Sequence, residues 1–176
     1  MKISDQKIRE IVKKYNSDEK KNLDYWLDYF KNLRNIEEVI ERATLAIGPE
    51  DKIHRHQYRI KNNVKNEKKK RLLKRKIEIE KCYDFNCIFK ILENEKVKGF
   101  GDLAVYDTSL RICSFLRKYP KEVYIQRGSR VGAGRLGLNV NRRSIPICEF
   151  PEPLQKLKPY YIEDILCIYI YKYNLG

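Results

Sequence analysis

The stretch that decides the fold is Val97–Leu103, which reads VKGFGDL and places two glycines around one apolar residue. After Gly101, apolar residues recur at steps of three and four, which predicts an amphipathic helix. These positions are Leu103, Tyr106, Leu110 and Cys113. The preceding segment, Asp84–Glu93, is also helical in pattern, so the sequence predicts a helix, a tight glycine turn and a second helix. Such a turn presents unpaired backbone N–H groups to an anion. The alternative is a simple connector between helices.

This pattern resembles the helix-hairpin-helix DNA-binding motif, in which apolar-x-Gly-apolar-Gly precedes a helix. A second segment, residues 124–138, is similar to the region after the hairpin in the helix-hairpin-helix DNA glycosylase superfamily. Its best-matched positions are Arg130-Val131 and Arg135-Leu136-Gly137-Leu138. The resemblance covers residues 85–140. It implies a mainly α, multi-helix globular domain with a helix-hairpin-helix motif, in which Gly99, Phe100 and Gly101 contact DNA.

The sequence departs from that superfamily where the superfamily has its chemistry. Lyase-competent members carry a lysine two residues past the second hairpin glycine, where this chain has Leu103. Their catalytic aspartate falls near Tyr124–Gln126, and this chain has no carboxylate there to stabilise positive charge or activate a nucleophile. The resemblance therefore implies the scaffold and a nucleic-acid surface without base-excision chemistry, and it identifies no catalytic residue.

The charge of the chain points to an anionic partner. Its formal net charge is +14, which favours nucleic acid first and a membrane surface second. Most of the excess lies in Lys52–Lys76, the basic tract, where twelve lysines and arginines are opposed by Glu67 alone. The tract is expected to be one long exposed helix or two pieces joined by a mobile loop, and a solvated helix face is the alternative to a binding surface. Its candidate phosphate ligands are Lys68, Lys69, Lys70 and Arg71.

The two histidines of the chain lie together in His54–Arg59, which reads HRHQYR. A metal site is not expected here, because no cysteine or carboxylate pair with metal-ligand spacing is nearby and side chains at i and i+2 of a helix point apart. Phosphate or base contact is favoured over a metal site, and a plain surface without a binding role is the alternative. The candidate residues are His54, Arg55, Gln57 and Arg59.

Arginine dominates a second region. No acidic residue occurs between Glu122 and Glu149, and arginine favours planar, bidentate phosphate contacts. The candidate phosphate ligands in it are Arg127, Arg130 and Arg135. Asp107 and Arg111, on the predicted hairpin helix, are spaced i to i+4 and are expected to form a structural ion pair.

For domain organisation, residues 1–50 are expected to form N-terminal helices, and residues 51–176 the basic segment plus the helix-hairpin-helix domain, in one compact unit overall. The five cysteines are scattered and include no Cys-x-x-Cys pair. We therefore expect free thiols in a reducing compartment. No signal peptide and no apolar window of membrane-spanning length is found. A cytoplasmic protein with no cofactor and no membrane partner is the resulting expectation.

Three functions fit these observations. The first is DNA binding, with RNA also possible, through the hairpin and the basic surfaces. The alternative is an enzyme that acts on nucleic acid or nucleotides with a divergent glycosylase-like scaffold, and the third is an assembly protein that docks an acidic partner. A further likeness is to a group of uncharacterised bacterial proteins and implies no activity. It rests on His54–Arg59, Gly99–Tyr106, Tyr124–Gly137 and Ile162–Cys167.

Overall fold

The computed structural model describes residues 3–171, and this part of the chain is mainly helical, as predicted. In chain order the helices are α1 (Asp5–Asp18), α2 (Lys20–Lys31), α3 (Ile36–Leu45), α4 (Asn62–Lys74), α5 (Lys76–Lys81), α6 (Phe85–Asn94), α7 (Asp102–Leu116), α8 (Arg127–Arg135), α9 (Glu152–Gln155) and α10 (Pro159–Ile165). Two short strands, β1 (Val123–Tyr124) and β2 (Ser144–Ile145), pair antiparallel. Single 3-10 turns lie at Pro49–Asp51, Arg55–Gln57 and Ile147–Glu149, and a π-helical turn, Leu166–Ile170, follows α10.

The chain divides into two compact units, and the division does not follow the sequence order. The central unit is contiguous and comprises residues 24–119, whereas the terminal unit combines residues 1–23 with residues 120–176. The boundary at 50–51 that the sequence suggested lies inside the central unit.

In the central unit, α3 packs against α4 and α7, and α6 packs against α7. The amphipathic stripe of α3 is buried at Val39, Ile40 and Ala43, as its spacing requires. The helix is capped by Asn35, which accepts a 2.9 Å hydrogen bond from the Glu38 N–H. These contacts form the core that positions the glycine turn before α7 and the residues around Arg55–Gln57.

The loop after α3 folds back on itself. An isolated bridge joins Ile47 to Ile53, and the N–H of His54 donates to the Ala46 carbonyl at 2.9 Å. The returning chain therefore enters the 3-10 turn Arg55–Gln57 close to the C-terminal end of α3.

Most of the basic tract is a single helix, α4, which ends at a break at Arg75 before α5. Residues 52–61, which precede α4, contain only the 3-10 turn Arg55–Gln57 and the bridge at Ile53. The tract therefore matches neither expectation: it is not one long helix, and no loop divides it into two helical pieces.

A disulfide joins Cys82, at the C-terminal end of α5, to Cys87 in α6. The expectation of free thiols is therefore wrong for this pair. Cys113, Cys148 and Cys167 form no disulfide. The bridge fixes the connection between α5 and α6, which the scattered cysteine spacing did not indicate.

In the terminal unit, the apolar face of α1 contacts α9 and α10, with Ile8, Ile11 and Tyr15 buried. Helix α8 lies against the π-helical turn, and a Cβ on Gly132 would be only 2.5 Å from the Leu166 carbonyl oxygen. Glycine at this position is what allows the two backbones to approach so closely.

Among the described helices, none is both long enough and apolar enough to cross a membrane.

Candidate functional site

The predicted hairpin is a tight turn between α6 and α7. The N–H of Phe100 donates to the Val97 carbonyl at 3.0 Å, and Gly99 has φ +94°, which side chains disfavour. Gly101 has φ −79°, so its conformation is open to any residue. A Cβ on Gly101 would meet nothing within 4 Å. The two glycines therefore differ: Gly99 is required by the turn, whereas Gly101 leaves open space beside the backbone.

Gly101 is also the N-cap of α7 and, having no side chain, leaves the first N–H groups of this helix without a side-chain cap. Such groups, together with the helix dipole, favour a negative charge. Lys98 is exposed within the turn. The acidic Asp102 occupies the first turn of α7, so one carboxylate opposes an anion here.

Helix α4 fixes the hairpin from one side. The Lys68 ammonium donates to the Leu92 and Glu95 carbonyls at the end of α6. Arg71 donates to the Lys96 carbonyl at 2.9 Å. Lys68 is 1% exposed, and burial lowers its pKa to about 8. Lys68 and Arg71 thus hold the turn in place. The sequence predicted Lys68 to be an exposed phosphate ligand, but this lysine is buried.

Carboxylates from outside the basic tract neutralise part of its charge. Lys69 lies 3.0 Å from Glu41, and Lys76 forms an ion pair with Glu37. Within the tract, Arg71 pairs with Glu67 at 2.7 Å. These acids come mainly from α3, which packs against α4, so the unopposed charge seen in the linear sequence is partly opposed in the fold. The exposed cations of the tract that form no ion pair within residues 3–171 are Arg55, Arg59, Lys61, Lys70 and Lys74.

The three arginines of α8 have different surroundings. Arg127 is exposed. Arg130 donates to the Ile125 carbonyl at 3.2 Å and to the Arg142 carbonyl at 3.1 Å. Arg135 donates to the Ile170 carbonyl at 2.9 Å. Arg130 and Arg135 therefore connect segments of the terminal unit, and Arg127 alone of the three is exposed.

A polar cluster that the sequence did not indicate lies between the turn 55–57 and α7. The rings of His54 and His56 are 4.7 Å apart, because His54 is in the extended N-cap conformation before the 3-10 turn and not on a helix. The side chains of His54 and His56 therefore do not diverge as they would at positions i and i+2 of a helix. Asp107 lies beside them, with its Oδ2 atom 3.5 Å from Nδ1 of His56.

Buried hydrogen bonds tie this cluster together. Gln57 donates to the Ala104 carbonyl at 3.3 Å, and Arg111 donates to Gln57 at 2.8 Å and to the Ala43 carbonyl at 3.1 Å. Arg111 also lies 4.0 Å from Asp107, which confirms the predicted i to i+4 pair. Gln57, placed by the sequence among nucleic-acid contacts, is fully buried and is therefore a structural residue.

Burial sets the charge states in the cluster. Burial and the positive charge of Arg111 lower the pKa of His54 to about 3, so this imidazole is neutral near pH 7. Burial acts to raise the pKa of Asp107, but His56, Arg111 and His54 outweigh it, and the net change is a lowered pKa. The cluster thus combines an ionised carboxylate with a neutral imidazole.

His54, His56 and Asp107 each offer one ligand atom, and these atoms lie within 4.8 Å of one another. Imidazole and carboxylate groups are common metal ligands. The sequence interpretation missed this arrangement because Asp107 lies far along the chain from the histidines. The signal in the sequence was Asp107, an acidic residue within the otherwise mostly apolar helix α7.

Comparison of this chain with protein-family models, with curated proteins and with solved structures finds no match.

Proposed function

We propose that this protein binds nucleic acid, with DNA as the preferred partner, through the hairpin at Val97–Gly101. The observation that carries the proposal is the open backbone at Gly101, where the uncapped N-terminus of α7 faces unfilled space. Backbone N–H groups at helix N-termini are common phosphate ligands in protein–DNA complexes. Because the φ of −79° at Gly101 does not require glycine, the proposed role of this glycine is to let a phosphate approach the backbone closely.

Cations around the hairpin support the same proposal. Lys96 and Lys98 are exposed in the turn. Lys61 is exposed at the start of α4, one helical turn before Val64, whose side chain would lie 3.4 Å from a Cβ on Gly99. These side chains would supply the salt-dependent, sequence-independent attraction typical of phosphate contacts. The proposed role is binding without base excision, in the cytoplasm, where nucleic acid is accessible.

The proposal is tested by fluorescence anisotropy with single-stranded, double-stranded and damaged DNA and with RNA, each assayed also for reaction products. Gly101→Ala should weaken binding at least fivefold without loss of stability, because alanine accepts this φ and its Cβ occupies the phosphate approach. The matched control is Gly134→Ala, at an exposed glycine of α8 with ordinary space around it.

A second pair of variants tests the charge. Lys98→Ala should weaken binding and reduce the slope of log K against log salt by about 0.9, whereas Lys13→Ala, an exposed lysine of α1, should change neither. Undiminished affinity of both Gly101→Ala and Lys98→Ala would contradict the proposal. Product formation on any substrate would favour the enzyme alternative.

A further inference from the structure

Two buried polar atoms of the central unit face each other without a hydrogen bond. They are Nδ1 of His56 and Oδ2 of Asp107, 3.5 Å apart and both shielded from solvent. Buried polar atoms normally have a partner. The nearby imidazole of His54 completes a set of three ligand atoms within 4.8 Å of one another. We propose that His54, His56 and Asp107 bind one divalent transition-metal ion, with Zn²⁺ as the best match for these ligands.

The distances suit a metal ion. Zn²⁺ bonds to nitrogen and oxygen at roughly 2.0–2.1 Å, which places the ligand atoms of a tetrahedral site roughly 3.3–3.4 Å apart. The 3.5 Å between His56 and Asp107 is close to this value and is longer than a good hydrogen bond. A cation between the two atoms would satisfy both. The imidazole of His54 offers a third ligand atom within 4.8 Å, and its Nδ1 accepts a 3.4 Å hydrogen bond from the His56 N–H, which holds the two rings together.

Neighbouring residues hold the candidate ligands together, although His54 and His56 lie at the 3-10 turn and Asp107 lies in α7. Gln57, next to His56, donates to the Ala104 carbonyl of α7 at 3.3 Å, one helical turn before Asp107. This hydrogen bond holds the turn that carries His56 against the helix that carries Asp107. Arg111, 4.0 Å from Asp107, opposes a cation, so the affinity should lie below that of closed structural zinc sites. Three protein ligands also leave a fourth position for water or substrate.

Calorimetric titration of the metal-free full-length protein with Zn²⁺ tests the proposal, with Co²⁺ absorption as a second readout of imidazole coordination. The wild type should bind one ion per chain at this site, and His56→Ala and Asp107→Asn should each lower the affinity at least tenfold. The matched control is Asp102→Asn, because Asp102 is an exposed aspartate of the same helix, and it should bind as the wild type does.

Stability gives an independent readout. Zn²⁺ should raise the melting temperature of the wild type, because an ion that binds only the folded state stabilises it, and it should not do so for His56→Ala. If Asp107→Asn does not fold, His56→Ala decides, since the His56 side chain is 26% exposed. Failure of the wild type to bind Zn²⁺ or Co²⁺ at millimolar concentration would overturn the proposal. Undiminished affinity of His56→Ala, or loss of binding in Cys148→Ser, would also overturn it. These outcomes are separate from nucleic-acid binding, which needs no metal.

Discussion

The guanidinium of Arg111 donates a 2.8 Å hydrogen bond to Gln57, which lies fifty-four positions earlier in the chain. Both side chains are buried. Gln57→Leu keeps a similar shape but removes one of the acceptors of the buried Arg111, which keeps only the Ala43 carbonyl and the more distant Asp107. We expect the free energy of unfolding to fall by about 2–3 kcal/mol in urea denaturation. Gln6→Leu, at an exposed position of α1, should change it by less than about 0.5 kcal/mol. Equal values for the two variants would contradict the role of Gln57.

Lys68 and Lys70 are close in the sequence but have different environments. Lys68 is buried and donates to two carbonyls at the end of α6, whereas Lys70 is exposed. Lys68→Met should lower the free energy of unfolding by about 1–2 kcal/mol, since these carbonyls lose their donor. Lys70→Met should leave it within about 0.5 kcal/mol. Urea denaturation of the two variants measures the difference, and a fully stable Lys68→Met would refute the structural role of this lysine.

The buried His54 should make stability depend on pH. The pKa of His54 is lowered to about 3, while the unfolded chain has an ordinary histidine pKa of about 6.5. As the pH falls below about 6.5, the unfolded state takes up the proton first, and stability is lost. At pH 5 the loss relative to pH 7 should be about 2 kcal/mol from this residue. Denaturation in EDTA should show that the stability of His54→Gln depends less on pH than that of the wild type. The same pH dependence in both proteins would contradict the contribution of His54.

The disulfide between Cys82 and Cys87 closes a loop with a sequence separation of 5. In the chain-entropy account, a loop this short stabilises the folded state by about 2 kcal/mol. Reduction should therefore lower the denaturation midpoint by a corresponding amount. Cys148→Ser, at an exposed free cysteine, serves as the control and should show the same response to reduction as the wild type. Identical midpoints for the oxidised and reduced protein would disprove the contribution.

Two glycines of α8 form a matched pair. A Cβ on Gly132 would lie 2.5 Å from the Leu166 carbonyl oxygen, whereas one on Gly134 would lie 3.6 Å from the nearest side-chain atom. Gly132→Ala should destabilise by about 1–3 kcal/mol because the packed backbones must separate. Gly134→Ala should stabilise by about 0.5–1 kcal/mol because alanine favours helix. Thermal unfolding distinguishes the two variants, and a destabilised Gly134→Ala would contradict the open space beside this glycine.

Helical periodicity was sufficient to predict much of this fold from sequence. The apolar spacing of α7 is a local property, so Tyr106, Leu110 and Cys113 could be placed on one buried face without knowledge of the tertiary structure. Gly99 could be placed in a turn for a similar reason, because glycine itself accepts the positive φ that the turn requires. The turn and the helix that follows it are confirmed as secondary structure, whereas their identity as a helix-hairpin-helix DNA-binding motif stays a prediction.

The candidate sites were less predictable because they depend on contacts between distant segments. A lysine such as Lys68 is expected at the surface because its ammonium group needs water or hydrogen-bond acceptors. The acceptors of Lys68 are carbonyl groups at the end of another helix, which the local sequence does not reveal. His56 and Asp107 meet because the loop after α3 turns back, and Gly48-Pro49 signals a turn there without showing where the returning chain will pack. Charge counts along the chain likewise could not show that Glu37 and Glu41 lie beside the basic tract.

The discontinuous make-up of the terminal unit has a consequence for biosynthesis. Residues 24–119 are contiguous, so the central unit can fold as soon as it leaves the ribosome, whereas α1 packs on α9 and α10, which are made much later. At roughly 5–20 residues per second, the apolar face of α1 stays uncovered for roughly 7–30 s after its synthesis. We expect nascent chains stalled after residue 119 to expose this face and to recruit chaperones, and chains released from the ribosome to lose them.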